Sequence, residues 1–407
     1  MSIIAKWQFL SCAALLAAGV GLGPAQAQVS DDVVKIGVTN DQAGIYSAAG
    51  GRGAVAAAQM AVDDFGGKVL GKPIVVVSAD NQNKPDVGVS IVRKWIDNEQ
   101  VDVIIDGGNS SVGMAVQEVA RQKNKLFLIS GSGTNALTNK ACSPVGFQWS
   151  WDSYGLAAGT ATALMKQGLD TWFFITADYV FGQVLEQQAT DVVKKFGGKS
   201  LGSVRHPFNT TDFSSFLVQA QASKAKVVAL ANAGGDTVNA IKGAREFGLT
   251  KGGQKLAALL LNITDVDALG LEAAQGLIIT TSFYWDRNEA SRQFGKRFME
   301  KQRNAPTFLQ AGAYSAVSHY LKAVQAVGTD DTDKVAAQMK RTKINDAMTE
   351  NGWIREDGKV MRDMYVVQVK SPAESKYPWD YYKILSTVSA EDAALPLSQS
   401  ECPLVKK

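Results

Sequence analysis

The chain has 407 residues, 46% of them apolar and 20% charged, with a formal net charge of +3. That balance leaves no electrostatic footprint for nucleic acid, and no basic stripe runs along the chain. The length exceeds what one compact core accommodates and suits two lobes.

Residues 1–27 carry a single charge, Lys6, then the apolar run Phe9 to Val20, then Ala25-Gln26-Ala27 before Gln28. Charged, apolar and small-x-small segments in that order form a cleavable export signal. Cleavage after Ala27 is expected, with the mature chain outside the cytoplasm. Removing Lys6 lowers the formal charge from +3 to +2. The run is short and broken by glycine, so it is not read as an anchor. No later apolar stretch approaches the ~20 residues of a membrane span. Cys12 falls inside the signal. The mature part keeps Cys142 and Cys402, and an even pair in an exported chain predicts a disulfide between them.

The mature chain alternates β-rich runs with helical patterns. Val33 to Val38 reads as a strand, and Val55, Ala58, Val62 and Phe65 then mark one face of a helix. Strand Ile74 to Val77, helix Val87 to Trp95, strand Val101 to Ile105, helix Val112 to Ala120 and strand Leu126 to Ile129 follow. Near-continuous Val/Ile strands between helices predict a parallel sheet covered on both faces. The pattern restarts at strand Trp172 to Ile175, with Leu185, Ala189, Val192 and Phe196 on a helical face. Strands near Val227 to Ala231, Leu256 to Leu261 and Leu277 to Thr280 continue that second sheet. The two halves share wording: Phe65 to Gly71 and Phe196 to Gly202 agree at six of seven positions, each closing the first helix of its half. A glycine cap arises independently at many helix ends, yet the matched placement favours two lobes of one design.

Two aromatic-rich segments, Phe147 to Tyr154 and Ser282 to Asp286, are expected to cross between lobes. Helices Arg292 to Lys301 and Gln310 to Val327 and a strand Tyr365 to Val369 complete the pattern. The expected lobes are 31–148 with 284–345, and 151–282 with 350–407.

Catalytic equipment is sparse. The two histidines, His206 at a strand end and His319 inside a helix, read as packing or surface residues. No zinc-protease motif, nucleophile elbow or phosphate loop occurs. No enzyme, cofactor or metal is expected. Binding equipment is richer. Ligands of open parallel sheets sit beyond the carboxyl ends of the strands. There Asn109-Ser110-Ser111 and Ser130-Gly131-Ser132-Gly133-Thr134-Asn135 offer hydroxyls and free N–H groups at helix starts, a carboxylate site without Lys or Arg. Read blandly, they are plain helix caps. Tyr46, Trp151, Tyr179 and Phe181 are rings suited either to an apolar or aromatic ligand body or to packing the hinge.

These features together resemble the leucine/isoleucine/valine-binding family of periplasmic ABC-transporter receptors. The resemblance rests on the export signal, strand Lys35 to Val38, loop Asp41 to Gly44, helix Gly53 to Phe65, the Ser-Gly-Ser-Gly-Thr-Asn loop, Asp178 to Gly182 and Asp212 to Phe216. It covers essentially the whole mature chain. It implies an α/β fold of two doubly wound parallel-sheet lobes joined by a three-crossover hinge, with ligand trapped by lobe closure and no catalysis. By position, Asn109 or Ser110, Ser132 and Thr134 would hold the ligand carboxylate. The family's second-lobe tyrosine, which meets the ligand ammonium, falls on Phe181, and its acidic partner falls near Asp265. Losing the tyrosine hydroxyl shifts the expected ligand from an aliphatic amino acid toward an aromatic or other non-amino carboxylate. A cleft-facing Asp265 would restore an ammonium site. The implied partners are a small carboxylate and the membrane permease of an ABC importer, with no nucleic acid, and the receptor is expected to be a monomer. A ligand-sensing receptor of the same fold and a periplasmic hydrolase are the alternatives.

Overall fold

The computed structural model describes residues 29–406, so the export signal and its cleavage site lie outside the described residues. The first sheet is built from β1 (Val34–Asn40), β2 (Lys68–Val69), β3 (Lys72–Asp80), β4 (Val103–Asp106), β5 (Leu126–Ile129) and β6 (Gly146–Gln148). Helices α1 (Gly51–Asp64), α2 (Pro85–Asn98) and α3 (Ser110–Gln122) connect them. The strand order is β2-β3-β1-β4-β5-β6, parallel except for the antiparallel edge strand β2. Val34, Ile36, Val38, Val103 to Ile105 and Leu126 to Ile129 are buried. Helices cover both faces, so these strands read as continuous apolar runs and not as alternations.

After β6 the chain passes through Trp149 and Trp151, both buried, into the second body. There follow α4 (Ser153–Met165), β7 (Thr171–Ala177), α5 (Val180–Lys195), β8 (Lys199–His206), α6 (Ser214–Ala222), β9 (Val227–Ala231), α7 (Gly235–Glu246), β10 (Lys255–Ala258), α8 (Ile263–Leu269) and α9 (Leu271–Ala274). The strand order is β10-β9-β7-β8, all parallel. Asp152 caps α4 by accepting the Gly155 N–H at 2.8 Å, and its other oxygen meets the buried Lys359 ammonium at 2.5 Å.

The chain continues through β11 (Ile278–Thr281), α10 (Glu289–Gln302), α11 (Phe308–Val327), α12 (Thr332–Arg341), β12 (Trp353–Ile354), β13 (Val360–Met361), β14 (Met364–Val369) and β15 (Tyr382–Val388). Here the expected topology needs correcting. The strand read near Leu277 to Thr280 does not extend the parallel sheet. It pairs antiparallel with β14, which pairs antiparallel with β15. The reason is chain direction: β14 returns after the helices α10 to α12 and runs opposite to β11. This small sheet packs on α4, whereas α11 packs along α1 and α12 on α11.

The tail read as one block, 350–407, divides between the two bodies. The β12–β13 hairpin is a two-stranded sheet of its own, and its turn meets the edge strand β6 of the first sheet through one bridge, Lys359 beside Gln148, with the Gln148 N–H donated to Gly358 O at 2.9 Å. β14 and β15 lie on the second body. The last residues return to the first, where Cys402 is bonded to Cys142 with Cα atoms 5.6 Å apart and Glu401 N–H reaches Asn139 at 2.5 Å.

Candidate functional site

The carboxyl ends of β1, β4 and β5 face those of β7, β9 and β10 across a cleft. Tyr46, Asn109, Ser110, Trp151, Tyr179 and Phe181 all line it. So do Asp41, Asp106, Leu260 and Leu309, and the glycines Gly131 and Gly133. None of the described residues lining the cleft is Lys or Arg.

The anion-ready end is the start of α3. Asp106, Gly107 and Gly108 all have positive φ (81°, 89° and 68°), which turns the chain sharply from β4 into the helix. Asn109 caps the helix, its Oδ1 accepting from Val112 N at 3.0 Å while its Nδ2 donates to Asn83 O at 3.1 Å. The first N–H groups of the helix have no intrahelical acceptor and carry the positive end of its dipole. Ser110 Oγ accepts the Thr134 N–H at 3.1 Å and keeps its own proton available.

Ser132 and Thr134 are fully buried and do not line the cleft. Ser132 Oγ shares its one proton between Gly108 O at 2.9 Å and Asn109 O at 3.0 Å, which ties the loop after β5 to the turn before α3. Thr134 Oγ1 caps the short 3₁₀ turn Asn135–Thr138 by accepting from Ala136 N at 3.3 Å. Both are positioning residues and do not contact the cleft. Successive side chains of an extended segment point to opposite sides. Here Gly131 and Gly133 take the cleft side, and Ser130, Ser132 and Thr134 take the other. A Cβ on Gly131 would run into Asp106, and one on Gly133 into the Trp151 indole.

Asp265 is the second correction. It sits one turn into α8 and reaches back to the start of its own helix. Its Oδ2 accepts from Asn262 N at 2.8 Å and Asn262 Nδ2 at 3.2 Å. It is buried, and burial raises its pKa to about 6. Asn262 lines the cleft and Asp265 does not.

Two acids line the cleft, Asp41 and Asp106, and Asp106 is 1% exposed at the end of β4. Asn40 Nδ2 donates to its Oδ2 at 2.7 Å, and Gly108 N approaches its Oδ1 at 3.4 Å. Burial pushes its pKa up to about 6, against the pull of those two donors. Asp41 is nearby but fully engaged, by Ala43 N, Gly44 N, Tyr46 N and Asn83 Nδ2. Sequence reasoning passed over Asp106, although an acid ending a buried Val/Ile strand just before Gly-Gly was a usable signal.

The rings form the other wall. Trp151 is held by its N–H to Ser130 O at 3.1 Å and meets Phe181 and Phe308 edge-on, with centroids 5.7 and 5.5 Å apart. Tyr46, after β1, and Tyr179, after β7, join hydroxyls at 2.6 Å across the mouth. Phe208 packs edge-on against both rings, 5.6 and 5.7 Å away. Burial, then each other's proximity, raises the Tyr46 pKa, and burial raises that of Tyr179, so both stay neutral. A further bridge, Gly235 N–H to Ile45 O at 3.4 Å, joins the same two edges. The histidines stand apart: His206 bonds Pro207 O and Asn232, and His319 bonds Met339 O.

The family model described as periplasmic binding protein matches residues 33–376. No curated protein matches the chain. Among solved structures, a periplasmic binding protein from Burkholderia mallei is 52% identical, with a TM-score of 0.90 over 92% of this chain and 100% of that one. A branched chain amino acid ABC transporter periplasmic ligand-binding protein from Burkholderia xenovorans is 40% identical, with a TM-score of 0.83 over 92% and 100%. A solute binding protein of an ABC transporter from Rhodopseudomonas palustris, in complex with 3,4-dihydroxybenzoic acid, is 21% identical and shares the fold, with a TM-score of 0.81 over 88% and 98%. With the family model spanning both sheets and the cleft between them, this chain belongs to the periplasmic binding protein family and has its type I bilobed fold.

Proposed function

We propose that this protein is an exported receptor that captures a small non-amino carboxylate, with an aromatic acid as the leading class, and hands it to the permease of an ABC importer. The observation that carries the reading is the pairing of the free α3 N-terminus and Ser110 with a wall of rings from both lobes. The helix start stabilises an oxyanion without a cationic side chain. Trp151, Tyr179 and Phe181 offer a flat body edge and face contacts of roughly 0.5–1.5 kcal/mol each. The Burkholderia xenovorans relative is an ABC transporter component, which supports delivery to an importer. Structures of the same fold from Rhodopseudomonas palustris hold benzoate and 4-hydroxybenzoate.

In this reading the lobes are 31–148 with 284–345, and 151–282 with β14 and β15. Ligand docks first on α3. Closure then adds the Tyr46–Tyr179 and Ile45–Gly235 contacts, which exist only when the two edges meet. Ligand shifts the open–closed population by bridging both walls.

One observation favours a second reading. Asp106 is a carboxylate inside the cleft, and an ionised Asp106 suits a ligand ammonium, which would make the ligand an amino acid. A thermal-shift panel of benzoate, 4-hydroxybenzoate, leucine and valine separates the two, because a ligand that binds the folded state alone raises its melting midpoint. A midpoint raised by the aromatic acids and unmoved by leucine and valine supports the first reading. The reverse pattern replaces it with the second.

A further inference from the structure

Phe208 sits in the link between β8 and α6, and 38% of its surface is exposed. A single exposed apolar residue needs no explanation on a surface, but this one is held in place. The buried Asp236, in the first turn of α7, accepts the Asn209 N–H at 3.2 Å and the Thr210 N–H at 2.7 Å. Thr210 Oγ1 donates to Pro207 O at 2.7 Å, and Asn239 Nδ2 donates to Thr210 O at 3.2 Å. Asn209 takes a positive φ of 64°, which turns the chain back directly after Phe208. These bonds fix a ring that is left partly in water.

The ring is aimed at the place where the edges of the two sheets meet. It packs edge-on against Tyr46, from the loop after β1, and against Tyr179, from the loop after β7. The centroids are 5.6 and 5.7 Å away and the ring planes are inclined by 72° and 84°. Those are the two residues whose hydroxyls join at 2.6 Å. The α7 start that anchors the Phe208 turn also brings the Gly235 N–H to Ile45 O, one residue before Tyr46. Phe208 itself stands outside the cleft lining. A hydroxyl pair open to water gains little, because each partner can bond water instead. Shielded from water, the same bond is stronger and costs more to break, much as near-neutral contacts around an interface hot spot act by excluding water. Phe208 supplies that cover, through a ring contact with Tyr46 that opening breaks.

We propose that Phe208 seals the Tyr46–Tyr179 bridge against water and thereby sets how fast the closed receptor releases its ligand. It is a positioning residue, acting through the two tyrosines. The inference rests on the receptor reading above and is indifferent to ligand class.

The test uses the mature full-length chain and follows ligand release on dilution by stopped-flow tryptophan fluorescence, since Trp151 lines the cleft. The probe is benzoate, or leucine where the thermal-shift panel selects it. Phe208→Ala should release the probe about tenfold faster and keep the association rate within about twofold. Phe208→Leu, which keeps an apolar cover, should stay within about threefold of wild type. Phe208→Gln, which keeps bulk but admits water, should release as fast as Phe208→Ala, and it serves in place of that variant should the latter fail to fold. The decisive arm is the coupling. In the Phe208→Ala background, Tyr46→Phe should add less than about twofold, because the bridge is already wet. Release from Phe208→Ala within about twofold of wild type, or a Tyr46→Phe effect as large in that background as alone, overturns the inference. A wild-type protein that binds neither probe overturns the reading beneath it.

Discussion

Replacing Asp106 by Asn distinguishes an anionic ligand from a cationic one, and its size follows from the site. Asp106 is buried and its pKa is raised to about 6. A ligand carboxylate at the α3 N-terminus would place a second negative charge beside it. Binding then selects the protonated form, which donates a hydrogen bond where the anion repels. Below pH 6 that form is already present. At pH 8, two units higher, selecting it costs about 2.7 kcal/mol, a factor of about 100. Wild-type affinity for benzoate should therefore fall about tenfold per pH unit above 6. The Asp106→Asn protein carries a neutral donor at every pH. Its affinity should be flat from pH 5.5 to 8.5 and exceed wild type by up to about 100-fold at pH 8. The backbone tolerates the change, because Asn accepts positive φ as readily as Asp, and the Asn40 donor keeps an oxygen to bond.

The same group has a stability signature. Its folded pKa is raised above the unfolded value, so its contribution is intact below about pH 4 and is lost as pH rises through about 6. Asp106→Asn should thus raise the melting midpoint at pH 8 and change it little at pH 4. Calorimetric titration of benzoate and leucine across pH reads the binding side. If wild-type affinity for benzoate is flat or rises with pH, and Asp106→Asn abolishes binding, the reasoning about the proton is refuted. If leucine binds wild type and loses about 1.5–3 kcal/mol in the variant, Asp106 is an ammonium partner.

Ser110→Ala should weaken carboxylate binding by about 1.5–3 kcal/mol, whereas Thr134→Ala, which removes a cap, should lower stability by about 0.5–2 kcal/mol and leave affinity within threefold in the same titration. Tyr46→Phe or Tyr179→Phe removes a bond made only on closure. Either should speed ligand release about two- to tenfold in stopped-flow displacement and leave the association rate unchanged. Replacing both Cys142 and Cys402 by Ser opens a loop of 260 residues and should cost about 2–5 kcal/mol of stability in denaturant melts, with ligand affinity retained.

The parallel sheets were legible because strands buried on both faces must be apolar at every position, as Val103 to Ile105 and Val227 to Ala231 are. β15 left no such trace. Its residues Lys383 to Thr387 are exposed, and the only apolar pair among them, Ile384-Leu385, is flanked by Lys383 and Ser386. The order of elements also could not show that β11 would meet a returning strand from the opposite direction.

The site was legible by loop and not by side chain. The Ser-Gly-Ser-Gly-Thr segment was correctly placed at the end of β5, but composition does not set which parity of an extended segment faces the ligand. The hydroxyls drew attention, while the glycines at the alternate positions are what the cleft requires, since any side chain there would displace Asp106 or Trp151. Asp265 shows the same limit from the other side. Asn262 and Asp265 stand three apart at a helix start, the spacing at which a side chain reaches back to the first N–H. That pattern was readable as a local cap, and it leaves the acid no reach toward the cleft. Asp106 lines the cleft from the opposite lobe, where a positive-φ turn followed by two glycines carries the chain from β4 into α3. On the proposed reading, ligand class turns on whether Asp106 holds its proton, because Asp41 already accepts four hydrogen bonds from its own loop and Asn83.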